Sequence, residues 1–465
     1  MKQLVIIILS FTVSVFLNAQ GYKINVKIKG EKDKNVLLVI HHGANKYSID
    51  TAHLDKSGKA EFSKQKALVP GMYLLAIEGS HLFDFLISDT INQNFTISTT
   101  KDKYLESLSF DGSPENQAFA EFMRFIVNIQ KKQKELSDKF KSEDSTAINA
   151  LSQQEESLNQ QVEEKIKALR EKFPGQLVVS VTEAMNHLQP KASDLPKDPT
   201  EKQRYIYEFV KQHYWDKISL TDMRLENTPI LIPAIDSYFS TIIVQTHDSV
   251  IAAADCLLKK AEKDTAMFKF IAGYILRHYS KSKIMDMANV VVYLIDNYYL
   301  NGKIFVDDEK FMSSIIEYAE KNRPSLIGKK AKNLKMESIS GVPEALYDID
   351  APYTLVYIFE SSCGHCQTET PKVYKVFQEY REKGLAGYCI YNLSNKQEWT
   401  DYISKNNFTD WTNVWDPTNE NDFKQAYSVY SVPQVYLLDK DKNIIGRNLD
   451  SVSLSQLLAF VFKNK

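Results

Sequence analysis

From residue 21 the chain alternates. Tyr22, Ile24, Val26 and Ile28 are apolar, while Lys23, Asn25, Lys27 and Lys29 between them are polar. That period of two predicts a half-buried strand. Further strand-like runs follow at 36–41, 47–54, 72–77, 83–87 and 94–99, separated by turn signals such as Asp55-Lys56-Ser57-Gly58. The spacing predicts a small antiparallel β-sandwich over residues 20–112. Within it, His41-His42 reads as a surface turn.

The period changes at Gly112-Ser113-Pro114-Glu115, where Ser113 can cap a helix that opens on Pro114. Residues 113–324 then read as an all-α domain. Phe119, Phe122, Met123 and Ile126 fall at helical spacing. The stretch 131–172 is highly charged and poor in large apolar residues. It predicts a long solvated helical hairpin, broken near Glu143-Asp144-Ser145 and ended by Phe173-Pro174-Gly175. Later aromatics, Tyr205, Phe209, Tyr214 and Trp215, read as core. Residues 322–328 read as a linker to a third domain, 325–465.

The first residues bear on the compartment. Lys2 gives a positive start, Leu4 to Leu17 is an apolar run too short for a comfortable bilayer span, and Ala19 is a small residue at a cleavage point. Residues 1–19 are therefore read as a signal peptide, which predicts export to the periplasm. With no cysteine nearby, a lipid anchor is not expected. The formal net charge is −2, so nothing in the balance points to nucleic acid.

Export makes the cysteines informative. There are four, too few for a disulfide scaffold: Cys363 and Cys366 stand together, Cys256 and Cys389 apart. Cys256 reads as buried on a helix and Cys389 as a core thiol in a strand. The apolar run from Tyr353 to Phe359 predicts a buried strand, and Val373, Val376 and Phe377 predict a helix. Cys363-Gly364-His365-Cys366 thus sits at a strand-to-helix junction. A helix N-terminus offers free N–H groups and the positive end of the macrodipole, which favour the thiolate that attacks disulfides. The i, i+3 spacing brings Cys366 within reach of a mixed disulfide on Cys363, making Cys363 the nucleophile, Cys366 the resolving thiol and Cys363–Cys366 the redox-active disulfide. Gly364 is read as allowing a tight turn, and a protonated His365 as adding positive charge. Zinc would need a second ligand pair and haem a histidine where Gln367 stands, so neither a metal nor another cofactor is expected.

These residues resemble a known family. Cys363-Gly364-His365-Cys366-Gln367-Thr368-Glu369-Thr370-Pro371 is similar to the C-x-x-C-x-x-E-x-P of the TlpA/ResA-like exported thiol-disulfide oxidoreductases, of thioredoxin fold. Tyr427 to Asp439 resembles their second block, with Pro433 at the cis-proline loop. Ile327-Gly328 to Leu334 resembles their domain opening, with Lys332 in place of proline. The resemblance implies an α/β thioredoxin-like fold for 325–465, a buried Cys366, a helix kinked at Pro371, and a loop at Val432 and Pro433 that holds substrate chain. It also implies disulfide-containing or dithiol protein substrates and a membrane or periplasmic redox partner. The β, helical and redox order is similar to multidomain proteins of the Bacteroidetes envelope.

Two departures matter. Ser362 replaces the tryptophan that often precedes the first cysteine, and Tyr357 stands where thioredoxin has a buried acid. Glu360 and Glu369 are then candidates for proton transfer with Cys366. The direction of electron flow stays open: the family blocks favour a reductase, while the Gly-His pair is shared with oxidising isomerases. A different class of function, a partner-binding envelope protein with an accessory redox switch, also fits the long front part.

Overall fold

The computed structural model of the protein describes residues 21–139, 145–186 and 188–463. The expected signal peptide, and most of the expected break in the helical hairpin, lie outside the described residues. The chain divides into two compact units, residues 1–243 and 244–465. The helical stretch is thereby shared between the two units.

The first unit opens with eight strands: β1 (Tyr22–Lys29), β2 (Asn35–His42), β3 (Asn45–His53), β4 (Lys59–Lys64), β5 (Gly71–Ile77), β6 (Ser80–Ile87), β7 (Asn94–Thr100) and β8 (Ser109–Asp111). They form two four-stranded sheets, ordered β4-β1-β7-β8 and β3-β2-β5-β6. Ile24, Val26 and Ile28 of one sheet share a core with Leu38, Leu75 and Phe85 of the other. One pairing departs from the antiparallel expectation: β1 and β7 run parallel. No hairpin joins them; the chain passes through the other sheet between them, so nothing local imposes an antiparallel partner. His41-His42 is not a turn but the end of β2, and His41 is buried with Nε2 2.9 Å from Asp84 Oδ1.

Five helices follow in this unit: α1 (Pro114–Lys139), α2 (Ser145–Lys172), α3 (Leu177–Ala184), α4 (Pro199–His213) and α5 (Leu231–Ser237). Buried Asn116 clasps α1 to the sheet, accepting from Leu86 N–H at 2.6 Å and donating to Leu86 C=O at 2.8 Å. Both groups would otherwise be buried without a partner, which is costly.

The second unit begins with α6 (His247–Ala261), α7 (Thr265–Ser280), α8 (Met287–Leu294) and α9 (Glu309–Asn322). The remainder is a mixed sheet of seven strands. These are β9 (Lys335–Ser338), β10 (Pro343–Ala345), β11 (Tyr353–Phe359), β12 (Leu385–Tyr391), β13 (Thr412–Trp415), β14 (Gln434–Leu438) and β15 (Ile444–Arg447). Their order is β10-β9-β13-β12-β11-β14-β15. Between them lie α10 (Gly364–Arg381), α11 (Lys396–Asn406) and the short α12 (Phe423–Ala426), and α13 (Ser451–Lys463) ends the described chain.

β11 is central, parallel to β12 and antiparallel to β14. It is covered on both faces, as its unbroken apolar sequence requires. Leu355, Tyr357 and Phe359 face a layer containing Val373, Phe377 and Leu454; Val356 and Ile358 face one containing Phe423, Tyr427 and Leu334. The expected linker at 322–328 is instead packed. Ser325 is fully buried with its hydroxyl 2.7 Å from that of Ser428, and Gly328 N–H donates to Ile444 C=O at 2.8 Å. Those polar groups find partners in the domain, so the segment is held rather than free. Among the described residues, no helix is long and apolar enough to cross a membrane.

Candidate functional site

β11 ends at Phe359, and four residues later Cys363 caps α10 with extended backbone (φ −77°, ψ 115°). Its Sγ accepts the Cys366 N–H at 3.3 Å, one of the free donors of the first turn. Sγ also lies 3.5 Å from the carbonyl oxygen of Val432, to which its S–H is placed to donate. The Val432–Pro433 peptide is cis. The two motifs, 69 residues apart, thus meet at one sulfur. Cys363 is half-buried, whereas Cys366 is wholly buried beneath the first turn. Burial pushes the Cys366 thiol well above its usual range, although a hydrogen bond from the Glu360 backbone works the other way.

The other sequence-predicted residues divide. Gly364 is the first residue of α10, with no positive φ, and a Cβ there would meet nothing within 4 Å. The tight turn expected of it is absent, because the chain enters the helix through the extended backbone of Cys363. His365 is exposed on the same turn. Pro371 lies inside α10, which continues through it. Glu369 is buried and turned to α13: it accepts Ser451 N–H at 2.6 Å and Lys372 Nζ at 3.2 Å. Burial alone would raise its carboxyl, but these donors outweigh it and hold the group below the usual carboxylate range. Glu360 Oε1 accepts Asn392 Nδ2–H at 2.5 Å.

Tyr357, at the position of thioredoxin's acid, is fully buried. Thr370 donates its hydroxyl to Cys366 C=O at 2.6 Å, so the Tyr357 phenol, 2.7 Å away, donates to Thr370 Oγ1. Asn392 and Thr370 were not evident from sequence. Thr370 lies four residues beyond Cys366 on one helix and could have been found from that spacing. Asn392 could not, since it follows from the parallel register that sets Phe359 against Tyr391.

The two isolated cysteines are both free. Cys389 is buried in β12, as expected. Cys256 is exposed, against expectation. The apolar stripe of α6 runs through Val250, Ala253, Ala254, Leu257, Leu258 and Ala261, and Cys256 falls off it. Among the described residues, no group of three or more His, Cys, Asp or Glu side chains is gathered to hold a metal.

A family profile described as thioredoxin-like matches residues 352–444, and two domains of unknown function match 22–119 and 144–327. No curated protein matches the chain. A domain of a possible thiol-disulfide isomerase from Cytophaga hutchinsonii is 39% identical, over 31% of this chain and 97% of its own, with TM-score 0.29. A thioredoxin-like protein from Bacteroides caccae is 20% identical, over 57% of this chain and 97% of its own, with TM-score 0.44. The C-terminal domain of a putative thiol-disulfide oxidoreductase from Bacteroides thetaiotaomicron is 21% identical, over 30% and 99%, with TM-score 0.29. Through its last third, the chain belongs to the TlpA-like proteins of thioredoxin fold, a family of thiol-disulfide oxidoreductases.

Proposed function

We propose that this protein is an exported thiol-disulfide oxidoreductase of the periplasm, acting on protein disulfides through Cys363 and Cys366, and working as a reductase. The observation that carries the reading is the position of Cys363: its sulfur takes a helix N-terminal N–H on one side and meets the Val432 carbonyl on the other. The first contact favours a nucleophilic thiolate. The second leaves the Val432 loop beside the sulfur, where an extended substrate segment can bond to backbone.

The chemistry balances within the two thiols. The Cys363 thiolate attacks a substrate disulfide, forming a Cys363–substrate disulfide and releasing one substrate thiolate. Cys366 then attacks Cys363 Sγ, forming Cys363–Cys366 and releasing the second thiolate. The substrate gains two electrons, and a periplasmic or membrane partner must return them.

The test uses the full chain. Wild type should reduce insulin disulfides, Cys363→Ser should not, and Cys366→Ala should hold substrates as mixed disulfides on Cys363. Failure of wild type to reduce any disulfide would sink the reading. A reduction potential near that of thioredoxin, about −270 mV, supports a reductase; one near about −180 mV assigns an isomerase or oxidase instead.

A further inference from the structure

We propose that Tyr430 is a specificity-determining contact for the substrate, presenting its ring to an apolar side chain close to the substrate disulfide. This rests on the oxidoreductase reading above. Tyr430 is 61% exposed, a large aromatic surface left in water. Among the described residues, it is the one large exposed side chain on the loop that meets Cys363. Val432, whose carbonyl lies 3.5 Å from Cys363 Sγ, is two residues further on. Two residues of chain span no more than about 7 Å. A substrate whose sulfur is bonded to Cys363 carries its own side chains two residues away over the same distance. The ring and that side chain are therefore within reach of one another.

The loop is fixed in place before any substrate arrives. Val429 N–H donates to Lys424 C=O at 2.7 Å, and Tyr430 N–H donates to Ser428 C=O at 3.1 Å. Ser428 is buried and has left-handed backbone (φ 52°), which a residue with a side chain adopts only where its surroundings impose it. Here the end of α9 and the segment after it impose it. The Ser428 hydroxyl donates to Lys321 C=O and lies 2.7 Å from Ser325 Oγ. Lys321 also supports the ring itself, with Nζ 4.8 Å from the Tyr430 centroid, while its ammonium pairs with Glu317.

A ring held in this way loses little freedom on binding, so its contact area converts efficiently into affinity. The ammonium occupies one side of the ring and leaves aromatic surface for the substrate. An extended segment bonded to backbone at Val432 gains affinity from the main chain, and the side chain that meets Tyr430 sets the preference.

The test measures reduction by the full chain of three fluorescence-quenched peptide disulfides. One carries Phe two residues before the cysteine, one carries Phe two residues after it, and one carries Ser at both places. Hydroxyethyl disulfide, too small to reach Tyr430, is the control. Wild type should favour one Phe peptide over the Ser peptide by about three- to tenfold in kcat/KM. Tyr430→Ala should abolish that preference through KM, with kcat and the reduction of hydroxyethyl disulfide within about twofold of wild type. Tyr430→Phe should keep the preference, because the ring carries it. A wild type that treats the three peptides alike overturns the proposal. So does a preference that survives Tyr430→Ala, one that is lost equally in Tyr430→Phe, or an equal fall in the reduction of hydroxyethyl disulfide. A wild type that reduces none of the four disulfides sinks the oxidoreductase reading and this assignment with it, whereas activity without these effects sinks only the assignment of Tyr430.

Discussion

Glu369 Oε1 accepts the backbone N–H of Ser451 at 2.6 Å, across 82 residues of chain. The contact joins the active-site helix α10 to the first residue of α13. Asp450 secures the same helix end, accepting Ser453 N–H at 2.7 Å. Two carboxylates thus serve the positive end of α13, and the family-like glutamate has a structural partner rather than a sulfur.

Glu369→Ala should therefore destabilise the C-terminal unit by about 1.5–3 kcal/mol, the range for a charged hydrogen bond to a buried donor. Urea unfolding read by tryptophan fluorescence can check this, since Trp399, Trp411 and Trp415 lie in this core. Because the folded-state carboxyl is held low, its contribution is present above the unfolded carboxyl value, about 4.3, and is lost as pH falls through the folded value. The stability gap between wild type and Glu369→Gln should be full at neutral pH and shrink in acid. A gap that grows in acid would contradict the assignment.

Tyr357→Phe removes one buried donor and should cost about 0.5–1.5 kcal/mol. Since burial keeps the phenol protonated, its loss should leave the pH profile of the resolving step unchanged. A shifted profile would make Tyr357 part of the proton path.

Gly387 on β12 faces Trp411. A Cβ there would meet Trp411 Nε1 at 3.0 Å and its Cδ1 closer still. The indole is boxed in by Tyr374 and Phe408, with ring centroids at 4.8 and 5.5 Å. Gly387→Ala should cost about 1–3 kcal/mol by overpacking, visible as a lowered unfolding midpoint. No loss of stability would mean that Trp411 has room to move.

The four thiols should divide by exposure. In the reduced native protein, Cys363 and Cys256 should alkylate rapidly, while Cys366 and Cys389 should wait for unfolding. Peptide mapping after a short iodoacetamide pulse distinguishes the pairs. Rapid labelling of Cys389, whose thiol burial also pushes well up, would contradict its place in the core.

Much of this could be read from residue order. The alternation of β1 appears as Tyr22, Ile24, Val26 and Ile28 buried between more exposed neighbours. The apolar run at 353–359 is the central strand, and Cys363 caps the helix that follows. Even the exposure of Cys256 was legible, had its offset from the α6 stripe been followed. Other features were not. The parallel pairing of β1 with β7 depends on how the chain returns from the second sheet, and the packing of 322–328 depends on Ser428 and Ile444, more than a hundred residues away.

By itself, the sequence determined the strand-to-helix placement of the two cysteines, because hydrophobic period and helix capping act over a few residues. It also brought Glu360 and Glu369 into view, one on either side of the motif, with nothing to choose between them. Only the tertiary structure gave them different partners. Asn392, 32 residues on, bonds the Glu360 carboxylate, and Ser451 draws Glu369 away to α13. A buried carboxylate goes where its hydrogen-bond donors are, and those donors are brought to it by the folding of distant parts of the chain.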